Sequence, residues 1–353
     1  MTKIVVVGCG AIGSTILSYM TRGGRDILGV DGWSAHVSHV QDKGMQMESV
    51  SETFEVRPRL EHLDAAPPGS FDVAVVSVKS YDSAWAADFA ASRLNDDGIL
   101  ISAQSGLHEA AMVARHGSRV VGCVVPMAVE IFSPGRPRRT SGDEWTSLVF
   151  GELSPGRSDD RPGHLAELFS PLGPTESSDD IWGELWGKFT LNVMSNAVGG
   201  LADLTTLHLW TELRSVDCII ALGHEVAKVA HAEGQSLVPV LKSINHELLM
   251  GAIDATTQAW QETAEILHAL GESRAGAREN LPSLLQDLRK GRRTEIDYLN
   301  GVVVDKARAH GIDVPANEAV VSIVHEIERG HRPRGTDALQ ELYTVVSDVY
   351  LSS

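Results

Sequence analysis

The chain has 353 residues, 43% of them hydrophobic, and a formal net charge of -17. That length exceeds one average core and predicts two domains, and the hydrophobic share excludes a disordered chain. So acidic a surface repels phosphate backbones and argues against a nucleic-acid partner. The two short basic runs, at residues 136–139 and 289–293, read as solvated loop or helix-end charge.

Cys9, Cys123 and Cys218 are far apart and odd in number, so neither a disulfide framework nor metal-ligand spacing emerges. Each lies in an apolar run, which predicts buried reduced thiols and a reducing compartment. No stretch approaches the roughly 18 apolar residues of a membrane span. The short run ahead of Gly8 is no signal peptide, so the expectation is a cytoplasmic protein without a membrane partner.

Residues 4–8 form a continuous β-branched run, as suits a strand buried on both faces. A helix is predicted from residue 11 to about 22, then strands at 27–31, 73–78, 99–103 and 120–125, with helices at 82–94 and 108–115 between them. Such alternation predicts a parallel sheet covered by helices on both faces. Residues 171–180 are polar and turn-rich, and helical patterns dominate afterwards, at 186–197, 216–232, 244–270 and 298–310, with a loop at 274–280. The boundary falls between 179 and 180. The long apolar stripes of the second half, such as 244–270, could pair two copies into a homodimer.

Gly8-Cys9-Gly10-Ala11-Ile12-Gly13 is a G-x-G-x-x-G pattern with a strand directly before it and a helix directly after. Gly8 permits the tight turn, Gly10 lets a diphosphate approach the backbone, and Gly13 lets helix and strand pack closely. Ala11 and Ile12 open the helix whose unpaired amides would receive the diphosphate. The second predicted strand ends at Asp31, whose carboxylate can accept both ribose hydroxyls and repel a 2′-phosphate. A nicotinamide cofactor is therefore expected, NADH over NADPH. Asp31 could instead cap the following turn.

Lys188, Asn192 and Asn196 recur every fourth residue and stack on one helix face. Spacing alone leaves two readings open, a polar stripe in water or at a helix–helix contact, and a substrate-binding face. Farther on stands Ser283, upstream of Thr294-Glu295-Ile296-Asp297-Tyr298-Leu299-Asn300-Gly301, and the tail carries Gly311-Ile312-Asp313-Val314-Pro315-Ala316-Asn317. With the glycine turn and the Lys188 stripe, and in the same order, these segments closely resemble the ketopantoate reductase (2-dehydropantoate 2-reductase) family over nearly the whole chain.

The resemblance implies an α/β N-terminal Rossmann domain, a doubly wound parallel sheet, over 1–179 and an all-α C-terminal domain over 180–353. It implies NAD(P)H-dependent reduction of a 2-oxo acid to a 2-hydroxy acid, 2-dehydropantoate to pantoate, a step of pantothenate biosynthesis, with a small oxo acid as the partner. Lys188 matches the lysine that protonates the carbonyl oxygen, and Glu295 the carboxylate that holds it. Asn192 and Asn196 match substrate-binding amides, and Ser283 the serine near the substrate carboxylate. Lys79, at a strand end, matches a cofactor-side lysine. Burial would lower the ordinary lysine pKa near 10.4 and Glu295 would raise it.

The chain departs from the family pattern. Gln104-Ser105-Gly106 stands where family members usually have Asn-Gly, whose asparagine touches the nicotinamide ribose and the substrate, Asp31 stands where many members carry an arginine, and the segment 234–283 is longer. Gln104 and Ser105 are kept as cofactor-side residues. These differences leave open a relative acting on another oxo acid or ketone. A non-catalytic nicotinamide sensor would not need Lys188, Asn192, Asn196, Ser283 and Glu295 together. His224-Glu225 lacks the second histidine of a zinc motif, and Ser102 and Ser105 lack a base at triad-like spacing.

Overall fold

The opening β-branched run becomes β1 (Lys3–Val7) of a computed structural model, with Ile4, Val5, Val6 and Val7 wholly buried. The structure describes residues 1–154, 159–273 and 280–352, and divides into two units, Met1–Leu185 and Trp186–Ser353.

In the first unit β1 is followed by α1 (Ala11–Arg22), β2 (Asp26–Asp31), α2 (Ser34–Lys43), β3 (Met45–Glu48), β4 (Thr53–Val56), β5 (Arg59–His62) and β6 (Phe71–Val76). Then come α3 (Ser83–Ala91), β7 (Leu94–Ser102), α4 (Glu109–His116), β8 (Val120–Val124), β9 (Val129–Ile131), β10 (Pro137–Arg139), β11 (Leu148–Glu152), α5 (Arg161–Phe169) and β12 (Thr175–Ser177). The main sheet runs β12-β11-β8-β7-β6-β1-β2-β5. Successive strand residues face opposite sides, so Ile4 and Val6 join one core with Ile16, Leu17 and Met20 of α1. Val5 and Val7 join the other with Ala86, Ala87 and Ala90 of α3.

The expected parallel sheet is there, with one correction: β11 lies antiparallel to β8. The chain between them makes β9 and β10 rather than a crossover helix, and an antiparallel neighbour needs no such crossover. A second sheet, β4-β3-β10-β9, was not anticipated. Its strands have three or four residues each, too short for a two-residue period to stand out. The basic run at 136–139 is also corrected, since it leads into β10. Arg138 pairs with Glu130, and the buried Arg139 guanidinium donates to Leu172 O at 2.8 Å and to Gly142 O and Trp145 O at 3.0 Å.

α6 (Ile181–Ala202) begins in the first unit, where Ile181 and Leu185 join the core beside α3. The second unit continues with α7 (Thr206–Leu209), α8 (Leu213–Ala232), α9 (His246–Gly251), α10 (Gln258–Ser273), α11 (Ser283–Arg289), α12 (Asn300–His310), α13 (Pro315–Glu328) and α14 (Thr336–Val346). The central α8 packs against α9, α10, α12, α13 and α14. The predicted 244–270 helix is two helices. Between them Asp254 Oδ1 accepts the Thr256 N–H at 2.8 Å, a local turn that competes with helix. The loop predicted at 274–280 lies outside the described residues except for Asn280. Among the described residues no helix is long and apolar enough to cross a membrane, and the three cysteines are buried and free.

Candidate active site

The glycine turn is sterically specified. Gly8 has φ +92°, and a Cβ there would lie 2.6 Å from Val78 Cγ1. A Cβ on Gly13 would lie 2.0 Å from Gly8 O. Gly10 is different, since a Cβ there would meet nothing within 4 Å. The space beside Gly10 is open, and no side chain caps the helix that Ala11 and Ile12 begin. Uncapped amides facing open room suit a diphosphate.

Asp31 laces this turn to the next one. Its Oδ2 accepts the Cys9 N–H and its Oδ1 accepts the Trp33 N–H at 2.6 Å. The turn-capping role is therefore present, yet a carboxylate has about four acceptor positions, and those beyond these two bonds suit ribose hydroxyls.

A relay that sequence reasoning passed over supports the same turn. Gly135 N–H donates to His36 Nδ1 at 3.0 Å, so the imidazole proton sits on Nε2, 3.1 Å from Ser14 Oγ. Ser14 Oγ donates in turn to Cys9 O at 2.6 Å. Burial lowers the His36 pKa to about 4 and keeps the ring neutral. Histidine spacing gave no hint of this, because Gly135 is 99 residues away.

Lys79 is partly buried and directly precedes a 3-10 turn at Ser80–Asp82, beyond the end of β6. Gln104 Nε2 donates to Val78 O at 2.8 Å and to Ser83 Oγ at 2.6 Å. Both Gln104 amide hydrogens thus strap the Lys79 loop to the end of β7. Ser105 is partly buried on the next turn, and His108 Nε2 lies 3.0 Å from Ser80 Oγ.

In the second unit, Asn192 and Asn196 are buried on α6 and Lys188 is partly buried. Desolvation lowers the Lys188 pKa to about 8. Among the described residues Lys188 makes no hydrogen bond or ion pair, so the anticipated Glu295 contact is not formed. Glu295 is buried just ahead of a 3-10 turn at Ile296–Tyr298. Asn196 and Ser283 are brought together: Asn196 Oδ1 accepts the Ser283 N–H at 3.2 Å. Glycines allow that approach, since a Cβ on Gly199 would lie 2.5 Å from Pro282 Cγ and one on Gly200 2.1 Å from Leu284 Cδ2.

Comparison with known proteins bears on both halves. Residues 4–155 match the family model described as Ketopantoate reductase PanE/ApbA, and residues 180–328 match its C-terminal counterpart. The chain belongs to the ketopantoate reductase family. It is accordingly an oxidoreductase of the class acting on CH–OH groups. A 2-dehydropantoate 2-reductase of Halobacterium salinarum is 29% identical, over 93% of this chain and 99% of that one. One of Pyrococcus abyssi is 25% identical, over 89% and 94%. The crystal structure of a ketopantoate reductase family member from Ralstonia eutropha superposes with a TM-score of 0.75 at 26% identity, covering 93% of this chain and 99% of that one. D-mandelate dehydrogenase, solved with NADH and anilino(oxo)acetate, shares the fold at a TM-score of 0.77 and 20% identity, with 93% and 99% covered.

The segments that carry the likeness to ketopantoate reductases include a scaffold. Asn300 Nδ2 donates to Val193 O of α6 at 3.3 Å and to Asn317 Oδ1 at 3.0 Å. Asn317 Nδ2 donates to Glu225 Oε2 at 2.7 Å, and Glu225 also accepts the Ala316 and Asn317 N–H groups and the Tyr350 hydroxyl. A carboxylate at the start of α13 satisfies amides that a helix leaves unpaired. The basic run at 289–293 is partly neutralised, with Arg289 bonded to Asp203 and Arg293 to Asp297, each at 3.0 Å.

Proposed function

We propose that this chain reduces a 2-oxo acid to a 2-hydroxy acid with a nicotinamide cofactor, with 2-dehydropantoate as substrate, pantoate as product and NADH as donor. The observation that carries this reading is Lys188, a desolvated ammonium with a pKa of about 8 and no ion-pair partner among the described residues, on the helix face that bears Asn192 and Asn196.

The bound cofactor would supply hydride. Reduction builds negative charge on the carbonyl oxygen, and the Lys188 ammonium gives that oxygen its proton. A pKa near 8 leaves the group mostly protonated at neutral pH yet easier to deprotonate than an ordinary lysine. The Asn192 and Asn196 amides and the Ser283 hydroxyl hold the carboxylate and hydroxyl of the substrate, and Glu295 steadies the ammonium once substrate is bound. On the cofactor side, Gly8, Gly10, Ala11, Ile12 and Gly13 form the diphosphate turn. Asp31 takes the adenosine ribose, Lys79 and Ser105 flank the other half, and Gln104 holds the Lys79 loop. The relatives named as 2-dehydropantoate 2-reductases support the substrate. The Asp31 carboxylate, followed by neutral Trp33 and His36, supports NADH.

A second reading keeps the chemistry and changes the acid. Ser105 stands where family members usually carry an asparagine, and a hydroxyl cannot replace an amide's two hydrogens. A panel of 2-oxo acids assayed separately with NADH and NADPH, following loss of reduced nicotinamide absorbance, tests both. Highest kcat/KM on 2-dehydropantoate with NADH is expected. A tenfold preference for another acid would replace the substrate, and no oxidation with any acid despite tight cofactor binding would favour a sensor.

A further inference from the structure

We infer that His36 is a positioning residue for the cofactor: through Ser14 it holds the Cys9–Gly10 peptide in the orientation that presents the Gly10 N–H to a dinucleotide. The inference rests on the nicotinamide dinucleotide reading above and adds to it a wholly buried side chain that is out of reach of any ligand.

The hydroxyls of α1 supply the first half of the argument. A serine or threonine within a helix commonly donates to the carbonyl four residues back. Thr15 does so, to Ala11 O at 2.8 Å, and Ser18 does so, to Ser14 O at 2.8 Å. Ser14 departs from this pattern: its Oγ donates five residues back, to Cys9 O at 2.6 Å, and leaves Gly10 O aside. The difference is His36, whose Nε2–H donates to Ser14 Oγ at 3.1 Å. Among the described residues no nitrogen donates to the Thr15 or Ser18 hydroxyl. A hydroxyl that accepts on one side has its single hydrogen turned to the other. The imidazole is itself fixed from two directions. Gly135 N–H donates to Nδ1 at 3.0 Å, which leaves the proton on Nε2, and the Trp33 indole stacks on the ring at 5.0 Å and 14°. Gln46 N–H of β3 donates to Gly135 O at 2.9 Å, so the second sheet anchors the far end of this relay.

Peptide geometry supplies the second half. In a trans peptide the C=O and the N–H point opposite ways, and no cis peptide occurs among the described residues. Turning Cys9 O to Ser14 therefore turns the Gly10 N–H away from it. That N–H has no hydrogen-bond partner among the described residues, and a Cβ on Gly10 would meet nothing within 4 Å. The preceding peptide is held too, since Asp31 accepts the Cys9 N–H. Without His36 the Ser14 hydroxyl can return to Gly10 O, and the Cys9 carbonyl loses the donor that orients it. A diphosphate then has to order the turn as it binds, whereas an amide already aimed costs less to engage.

The test is calorimetric titration of the full chain with ADP and NADH, together with steady-state kinetics on the oxo acid. It compares wild type, His36→Phe, Ser14→Ala, the double variant and His36→Gln. Phenylalanine keeps a ring to stack on Trp33 but has neither nitrogen. His36→Phe and Ser14→Ala should each weaken ADP and NADH about tenfold, the loss of one good hydrogen bond. At saturating NADH, kcat and the KM for the oxo acid should stay within about twofold. Both residues act through the same carbonyl, so the double variant should also lose about tenfold rather than about 100-fold. His36→Gln, whose amide can accept from Gly135 and donate to Ser14, should recover part of the loss. Affinities within about twofold of wild type in either single variant overturn the inference. Losses that multiply in the double variant overturn it as well, because His36 would then not act through Ser14. A matching fall in kcat or rise in the oxo-acid KM would mark general damage and also sink it. Should His36→Phe fail to fold, His36→Leu takes its place in the cycle. Wild type that binds neither ADP nor NADH would instead remove the dinucleotide reading itself.

Discussion

Asn196 Oδ1 accepts the backbone N–H of Ser283 at 3.2 Å, and this bond fixes the start of α11 against α6. Two residues 87 apart in sequence are thereby held on one patch of the helical unit. Asn196→Ala leaves the Ser283 amide without that acceptor. The expected cost is about 1–3 kcal/mol of stability and at least a tenfold rise in KM for the oxo acid, with a smaller change in kcat. Denaturant titration and steady-state kinetics check it, and an unchanged KM would free Asn196 of a substrate role.

Lys188→Met removes the proposed acid together with a desolvated charge. Turnover should fall at least about 100-fold. Stability should move the other way. The folded pKa of about 8 lies below the ordinary 10.5, so protonation disfavours the native state. That penalty is complete below pH 8 and disappears as pH rises towards 10.5. The variant should therefore melt higher than wild type at pH 7, by an amount on the order of 1–3 kcal/mol, and lose its advantage near pH 10. Melting curves across that range check the sign.

The same group predicts a rate profile. Reduction needs protonated Lys188, so kcat/KM should be level below pH 8 and fall about tenfold per unit above it. A profile still level at pH 9.5 would assign the proton to another donor.

Asp31→Asn tests the choice of cofactor. An amide presents one oxygen in place of a two-oxygen carboxylate that holds Cys9 and Trp33, and it does not repel a phosphate. NADH affinity should drop about tenfold and the NADH:NADPH ratio of kcat/KM should shift towards NADPH by more than that. A ratio that does not move would refute the role of Asp31 in discrimination.

Glu109 gives a prediction about stability alone. Burial raises its pKa from 4.5 to about 7. The folded form holds the proton more tightly, so its contribution to stability is complete below pH 4.5 and is lost as pH rises through 7. Glu109→Gln should raise the melting temperature at pH 8 and bring no gain at pH 4.5. A gain at both pH values would place the effect in packing rather than ionisation.

Much of the fold was legible because its signals are local. The β1 run is buried on both faces, and the glycines before α1 have steric reasons that their spacing announces. The short strands β3, β4, β9 and β10 were hidden because three or four residues carry no period. The break between α9 and α10 was hidden because Asp254 bonds its own turn within an apolar stripe. For the site, four-residue spacing put Lys188, Asn192 and Asn196 on one face, but gave no means of weighing burial against Glu295.

Chemical identity and helix phase thus came from the sequence alone: a dinucleotide turn, a carboxylate after β2, and an ammonium with two amides on one stripe. These follow from backbone geometry over a few residues. Tertiary structure decided what depends on distant partners. It desolvated Lys188, joined Asn196 to Ser283, committed the Gln104 amide to the Lys79 loop and neutralised His36 between Ser14 and Gly135. Desolvation and hydrogen-bond partnership depend on which chain segments meet, and residue spacing does not record that.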